Sequence, residues 1–240
     1  MNTDDVEMRR TEAFFVYHIF LDFEMNPIAA ANRKPEDPVR HEIIEIGAVK
    51  LDPDYQLIDR YDQFVHPELN TITKKITGLT GITQEDVEHA PILAKALEQF
   101  ANWIGEGPVR VYSWSETDRS QLFGECDLKD LYIPDPFFRW MDFQRVYTRL
   151  VGLSRRSNLS LQNAMGAVEQ TFTGRQHRAV DDAEMSASLL TLVKDPVAFA
   201  ERTRIIQQVL KPASASGTGS TLGDLFAETF AKLKAENPQA

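Results

Sequence analysis

Phe14-Phe15-Val16-Tyr17-His18-Ile19-Phe20-Leu21-Asp22-Phe23-Glu24 is the stretch on which the fold turns. Its aromatic and β-branched residues describe a buried strand over Phe14 to Phe23. Asp22 and Glu24 stand at i and i+2, so on a strand they point to one face. An otherwise apolar strand puts that pair where a core belongs. Two buried, unpaired carboxylates are very costly and require a cation. The strand holds no Lys or Arg, and a hard divalent ion such as Mg²⁺ suits carboxylate oxygens. The plain alternative is that the strand stops at Asp22 and both side chains meet water.

Outward from this stretch, Asn26 to His41 contains Pro27, Pro35, Pro38 and many charges, which describes an exposed loop. Glu42 to Leu51 is a second strand, Asp52-Pro53-Asp54 a turn, and Leu57 to His66 a third strand. Strand, loop, strand, turn, strand predicts an antiparallel meander. Thr83 and Asp86 have capping-box spacing. Pro91 then suits the first turn of a helix with an apolar face of Ile92, Leu93, Ala96, Leu97, Phe100 and Ile104. Gly105 and Gly107 end it. Val109 to Trp114 is a fourth strand, followed by helices over Thr117–Cys126, Asp142–Leu150, Ser160–Gln170, Ala179–Val193 and Pro196–Leu210.

Residues 1–12 read as a polar tail and 13–211 as one domain. Residues 212–220 (PASASGTGS) form a flexible linker by composition, and 221–240 hold an amphipathic helix and tail. Leu222, Leu225, Phe226, Phe230 and Leu233 make that helix's apolar face, suited to self-docking or to a protein partner.

The chain has 240 residues, 42% hydrophobic and 26% charged, enough for a real core and unlike a disordered or collagenous chain. Its one cysteine, Cys126, forms no internal disulfide, which fits a reducing, cytoplasmic compartment. The longest apolar run, Ala13 to Leu21, is too short and too polar for a membrane helix and lacks a signal-peptide cleavage pattern. The net charge of −10 weighs against a polyanionic partner, yet local potential and bound cations decide binding. Arg139, Arg145, Arg149, Arg155, Arg156, Arg175 and Arg178 cluster late in the chain and offer a phosphate track, or simply solvated helix surfaces.

Three more residues bear on the acidic pair. Asp118 follows the fourth strand where a helix begins. Asp182 lies in the first turn of a helix, beside Asp181. Each fits an ordinary N-terminal acid. His177 precedes Asp182 by five positions and fits a surface or core histidine. Four carboxylates and one imidazole at strand ends and helix starts are harder to explain together.

Asp22-Phe23-Glu24, Ser113-Trp114-Ser115-Glu116-Thr117-Asp118-Arg119 and His177-Arg178-Ala179-Val180-Asp181-Asp182-Ala183 resemble the three motifs of the DEDDh 3′→5′ exonucleases, which are DnaQ-like. The His-x-Ala-x-x-Asp spacing selects Asp182 over Asp181. Glu42 to Val49 (EIIEIGAV), and His66-Pro67 through Ile76-Thr77-Gly78-Leu79-Thr80-Gly81-Ile82 to Pro91, are similar to the Eri/KapD-type branch. Met25-Asn26-Pro27 departs from the Ala-Thr-Cys that some Eri-type members carry there.

The resemblance covers roughly 14–195 and implies an α/β, RNase H-like fold, a mixed five-stranded sheet (antiparallel meander plus parallel strands) flanked by helices. It implies two Mg²⁺ or Mn²⁺ ions held by Asp22, Glu24, Asp118 and Asp182, with Asp22 bridging both. Two ions about 3.5–4 Å apart clamp the attacking and leaving oxygens of a phosphodiester. His177 then takes the proton of the attacking water, so activity falls in acid. Met25 and Leu79 match positions that contact the terminal nucleotide, and Gly78 permits close backbone approach. Trp114 fits either a stacking surface or the core. The implied reaction is 3′→5′ hydrolysis of single-stranded 3′ ends, RNA in preference, to nucleoside 5′-monophosphates. DNA 3′-end trimming or proofreading, and a non-catalytic binding adaptor, are the alternatives.

Overall fold

The computed structural model describes residues 16–154, 159–168 and 177–210. The tail, linker and C-terminal helix expected from sequence lie outside them, as do Arg155, Arg156 and Arg175. The described residues form two compact units, one of 16–143 and 177–191, the other of 144–154, 159–168 and 192–210.

The first unit is built on a five-stranded mixed sheet of order β3-β2-β1-β4-β5. Its strands are β1 (Tyr17–Pro27), β2 (His41–Leu51), β3 (Leu57–Phe64), β4 (Val109–Ser113) and β5 (Trp140–Asp142). The pairs β1–β2 and β2–β3 are antiparallel, as the meander predicts. The pairs β1–β4 and β4–β5 are parallel. β1 does not stop at Asp22. It continues to Pro27 because β2 pairs with it along that whole length, Asp22 opposite Gly47 and Glu24 opposite Glu45. The fifth strand that the resemblance implies is β5, which the residues alone do not locate, because with three residues it carries no alternation to recognise.

Alternation along β1 divides the sheet's faces. Ile19, Leu21 and Phe23 join one buried cluster with Ile43, Ile46, Ala48, Val109 and Val111. Two helices cover that cluster: α3 (Leu93–Ile104) supplies Leu93, Ala96, Leu97, Phe100 and Ile104, and α4 (Glu116–Leu128) supplies Leu122 and Cys126. Ile92 was expected on the α3 face but is 45% exposed, because it is the N-cap residue and Pro91 lies outside the helix. Two short helices precede α3. They are α1 (Lys74–Thr80), which the sequence reading missed, and α2 (Gln84–Glu88), whose Thr83–Asp86 capping box forms as expected.

A bulge shapes the region around the acids. Glu24 pairs with Glu45 and Met25 with Ile43, so Ile44 has no partner across the strand. Ile43 therefore returns to the α3–α4 face, while Ile44 packs with Ile82 and Val87. Beyond the bulge, buried Asn26 donates to the Thr71 carbonyl (3.1 Å) and accepts from the Thr73 N–H (3.0 Å). Thr73 is the α1 N-cap, so the end of β1 fixes where α1 starts.

Two further buried acids, Glu42 at the start of β2 and Glu125 on α4, are compensated. Lys129 Nζ lies 3.0 Å from Glu42, 3.0 Å from Glu125 and 2.9 Å from Glu68. Glu42 also accepts from the backbone of Glu68 and Leu69, and Glu125 from Ile43 and Gln121.

The second unit holds most of α5 (Phe143–Leu150), α6 (Leu161–Ala167) and α8 (Pro196–Leu210). Ser160 caps α6 by accepting from Asn163 N–H, as its sequence position suggests. Tyr147 meets Phe199 edge to face at 6.0 Å. The remaining helix, α7 (Ala179–Val193), belongs largely to the first unit and matches its sequence-read bounds. No helix among the described residues is long and apolar enough to cross a membrane.

Candidate active site

Asp22 and Glu24 lie on the β1 face opposite the α3–α4 core. Phe20, on that same face, stacks on Tyr112 at 4.7 Å. Asp22 is partly exposed and Glu24 is 9% exposed. Asp118 reaches them from the first turn of α4, whose N-cap is Ser115. It is 5% exposed and accepts a hydrogen bond from the Phe23 backbone, which draws α4's start onto the end of β1.

Asp182 arrives on α7, and Gly47 is the reason α7 fits. A Cβ at Gly47 would stand 1.9 Å from the Val180 nitrogen, so only glycine lets the helix start rest on β2. Gly47 is also the cross-strand partner of Asp22. One close approach thus sets Asp182 beside Asp22. His177 precedes α7 with a left-handed backbone, φ 63°, and its side chain is exposed. Ligand atoms of Glu24, His177 and Asp182 all lie within 4.8 Å of one another.

These acids repel one another in a poorly solvated place. Burial first, then the charges of Asp118, Asp182, Glu24 and Glu45, push the Asp22 carboxyl well above the usual carboxylate range. Burial and neighbouring Glu45, Asp182 and Asp118 push Glu24 up to about 8. Burial takes Asp118 to about 7 against the pull of its backbone hydrogen bonds. Burial raises Asp182 to about 6, held back by nearby His177. Among the described residues no Lys or Arg forms an ion pair with any of the four. The contrast with Glu42 and Glu125, which share Lys129, is physical: this cluster is stable in ionised form only with an added cation. The four carboxylates are hard oxygen ligands that suit Mg²⁺ or Mn²⁺.

Glu45 was quoted in sequence only as part of a motif, and its partner Arg178 only as part of another motif and as one of a group of arginines. Glu45 is fully buried and bound by Arg178, with Arg178 Nη2 at 2.6 Å. Arg178 also contacts Asp62 at 3.1 Å, so it is an ion-paired residue and not a free phosphate contact. A glutamate inside an apolar strand, on the Asp22 face, was the available signal.

The residues read as nucleotide contacts are placed differently from one another. Leu79 is 47% exposed on α1, and open space surrounds the position a Cβ would take at Gly78. Met25 is half-buried against the main core cluster. Trp114 is 9% exposed and meets Phe143 edge-on at 5.9 Å, so it is core and presents no open stacking face.

The family profile RNase_T: Exonuclease matches residues 19–190, and the chain belongs to this exonuclease family. It is 26% identical over 195 residues to 3'-5' exoribonuclease 1 of Rattus norvegicus, covering 76% of this chain and 54% of that protein. It is 30% identical over 189 residues to DNA polymerase III PolC-type of Clostridium perfringens, covering 75% of this chain and 11% of that protein. The chain thus spans about half the length of the first relative and about a tenth of the second. Among solved structures, the nuclease domain of 3'hExo, a DEDDh family member bound to rAMP, superposes with TM-score 0.66 at 25% identity, covering 77% of this chain and 94% of that one. E. coli Exonuclease I shares the fold, with TM-score 0.59 at 13% identity over 81% of this chain and 43% of its own.

Proposed function

We propose that the chain is a metal-dependent 3′→5′ exonuclease that trims single-stranded RNA ends to nucleoside 5′-monophosphates. One observation carries the reading. Asp22, Glu24, Asp118 and Asp182 converge from three segments, none of them ion-paired to a Lys or Arg among the described residues, and an exposed imidazole stands within 4.8 Å of two of them.

Asp22, Glu24, Asp118 and Asp182 would hold two divalent ions, which, when bound, neutralise charge on a scissile phosphate and acidify water. The chain's own residues do the rest. His177, exposed at the edge of the cluster, accepts the proton of the attacking water through a ring nitrogen. Asp182, its neighbour within 4.8 Å, stabilises the imidazolium that results. Leu79 supplies an apolar surface for the terminal base, and open Gly78 admits the strand's backbone. Buried Cys126 and the absence of a pairing cysteine support a reducing, cytoplasmic setting.

The RNA assignment, and with it the Eri-type branch, is supported by the exoribonuclease relatives and the rAMP-bound neighbour. A second reading, DNA end trimming, is supported by the 30% identity to the PolC-type protein. Matched 5′-labelled RNA and DNA oligonucleotides, each with Mg²⁺, Mn²⁺ or chelator and beside Asp22→Asn, separate them. A ladder from the RNA 3′ end, lost with chelator and in the variant, is expected. Equal or faster DNA shortening removes the RNA assignment, and no shortening with any metal removes the enzyme reading.

A further inference from the structure

We infer that Glu45 and Arg178 are positioning residues, a clamp that seats His177 and Asp182 over β1 without touching substrate. The inference rests on the exonuclease reading above. Glu45 is fully buried on β2, directly opposite Glu24 on β1. Its Oε1 accepts from Arg178 Nε at 2.8 Å, and its Oε2 accepts from the Ala179 backbone N–H at 3.1 Å. One carboxylate therefore holds both the side chain before α7 and an otherwise unpaired amide of its first turn. Arg178 continues the tie to β3, donating to Asp62 at 3.1 Å, with its guanidinium 5.3 Å from the centre of the Phe64 ring.

What the clamp holds is strained. His177 takes a left-handed backbone, φ 63°, a conformation disfavoured for a residue with a Cβ. Such a conformation persists only where its neighbours are fixed. On its C-terminal side the fixing groups are Arg178, Ala179 and the Gly47 contact that admits Val180. Freed from Glu45, Arg178 releases His177, which carries the imidazole, and Asp182, five residues further on. A displacement of about 1 Å at a reacting group costs on the order of 100-fold in rate.

The rival role for Arg178 is a phosphate contact, since its side chain is 26% exposed. Charge alone serves that role, whereas the clamp needs a fork that reaches Glu45 and Asp62 together. The test uses the full chain with Mn²⁺ and a labelled RNA oligonucleotide, comparing wild type, Arg178→Lys, Glu45→Gln and the double variant. Unfolding temperature accompanies each. The clamp predicts that both single variants lose about 10- to 100-fold in kcat with KM within about threefold, and that the double variant is no worse than the worse single. A KM increase with kcat kept in Arg178→Lys, or tighter RNA binding with full kcat in Glu45→Gln, overturns it. Hydrogen exchange over residues 177–183 reads the clamp without catalysis. Exchange at least about tenfold faster in both variants supports it, and unchanged exchange overturns it. If wild type cleaves nothing, the exonuclease reading fails while the exchange result still decides the clamp.

Discussion

Replacing Glu24 by Gln should make the metal-free protein more stable while destroying its activity. Glu24 is 9% exposed, and its carboxyl titrates at about 8 instead of the ordinary 4.5. At ~1.4 kcal/mol per unit, that gap corresponds to a preference of about 5 kcal/mol for the neutral form. Asp22, Asp118 and Asp182 share the same repulsion, and they relax when one charge goes, so the observable gain is about 1–3 kcal/mol. The sign follows from proton binding. Folding raises this pKa, so the folded state holds more protons than the unfolded state between 4.5 and about 8. Metal-free stability therefore falls as pH rises through that window and is fully lowered above it. Gln imitates the protonated acid. In chelator at about pH 8.5, Glu24→Gln should unfold about 3–10 °C higher than wild type, and near pH 5 the difference should vanish. Mn²⁺ should raise the wild-type midpoint at the higher pH and the variant's much less. Destabilisation of equal size at both pH values would refute the reasoning, because the ionised carboxylate would then be holding the fold together.

His177→Ala should reduce cleavage by about 100- to 10,000-fold while leaving Mn²⁺ binding, measured calorimetrically, within about threefold of wild type. Wild-type cleavage should also fall in acid, because the carboxyls of Glu24, Asp118 and Asp182, raised to about 8, 7 and 6, take up protons there and compete with metal. Raising Mn²⁺ should shift the acid limb of the rate profile to lower pH. Lys129→Met should cost about 3–5 kcal/mol in denaturant unfolding, since it strands buried Glu42 and Glu125. Leu79→Ala should raise KM for short oligonucleotides several-fold with kcat little changed, about 1–3 kcal/mol of stacking being the usual contribution of such a surface.

Strands with long apolar runs could be read directly. β2 and the bounds of α7 come from EIIEIGAVKL and from the Ala179–Val193 periodicity. Local chemistry also read well where it was short-range, as with Thr83–Asp86 and Ser160. What escaped depends on partners distant in sequence. β1 runs past its acids because β2 pairs there, and β5 exists only by lying beside β4. α1 was hidden by two threonines and a glycine among seven residues, and is anchored from outside by Asn26. The carboxylates were legible as motifs. The Glu45–Arg178 tie was not, since 133 residues separate its members and each alone passes for an ordinary charge.

The acids of the cluster are drawn from residue 22 on β1, residue 118 on α4 and residue 182 on α7, and α7 can dock only once β2 presents Gly47. During synthesis at about 5–20 residues per second, about 8–32 s separate the appearance of Asp22 from that of Asp182. For that interval the nascent chain holds only part of its acidic set and lacks its imidazole. A cation site whose last carboxylate arrives with α7 stays incomplete in any fragment that stops short of that helix.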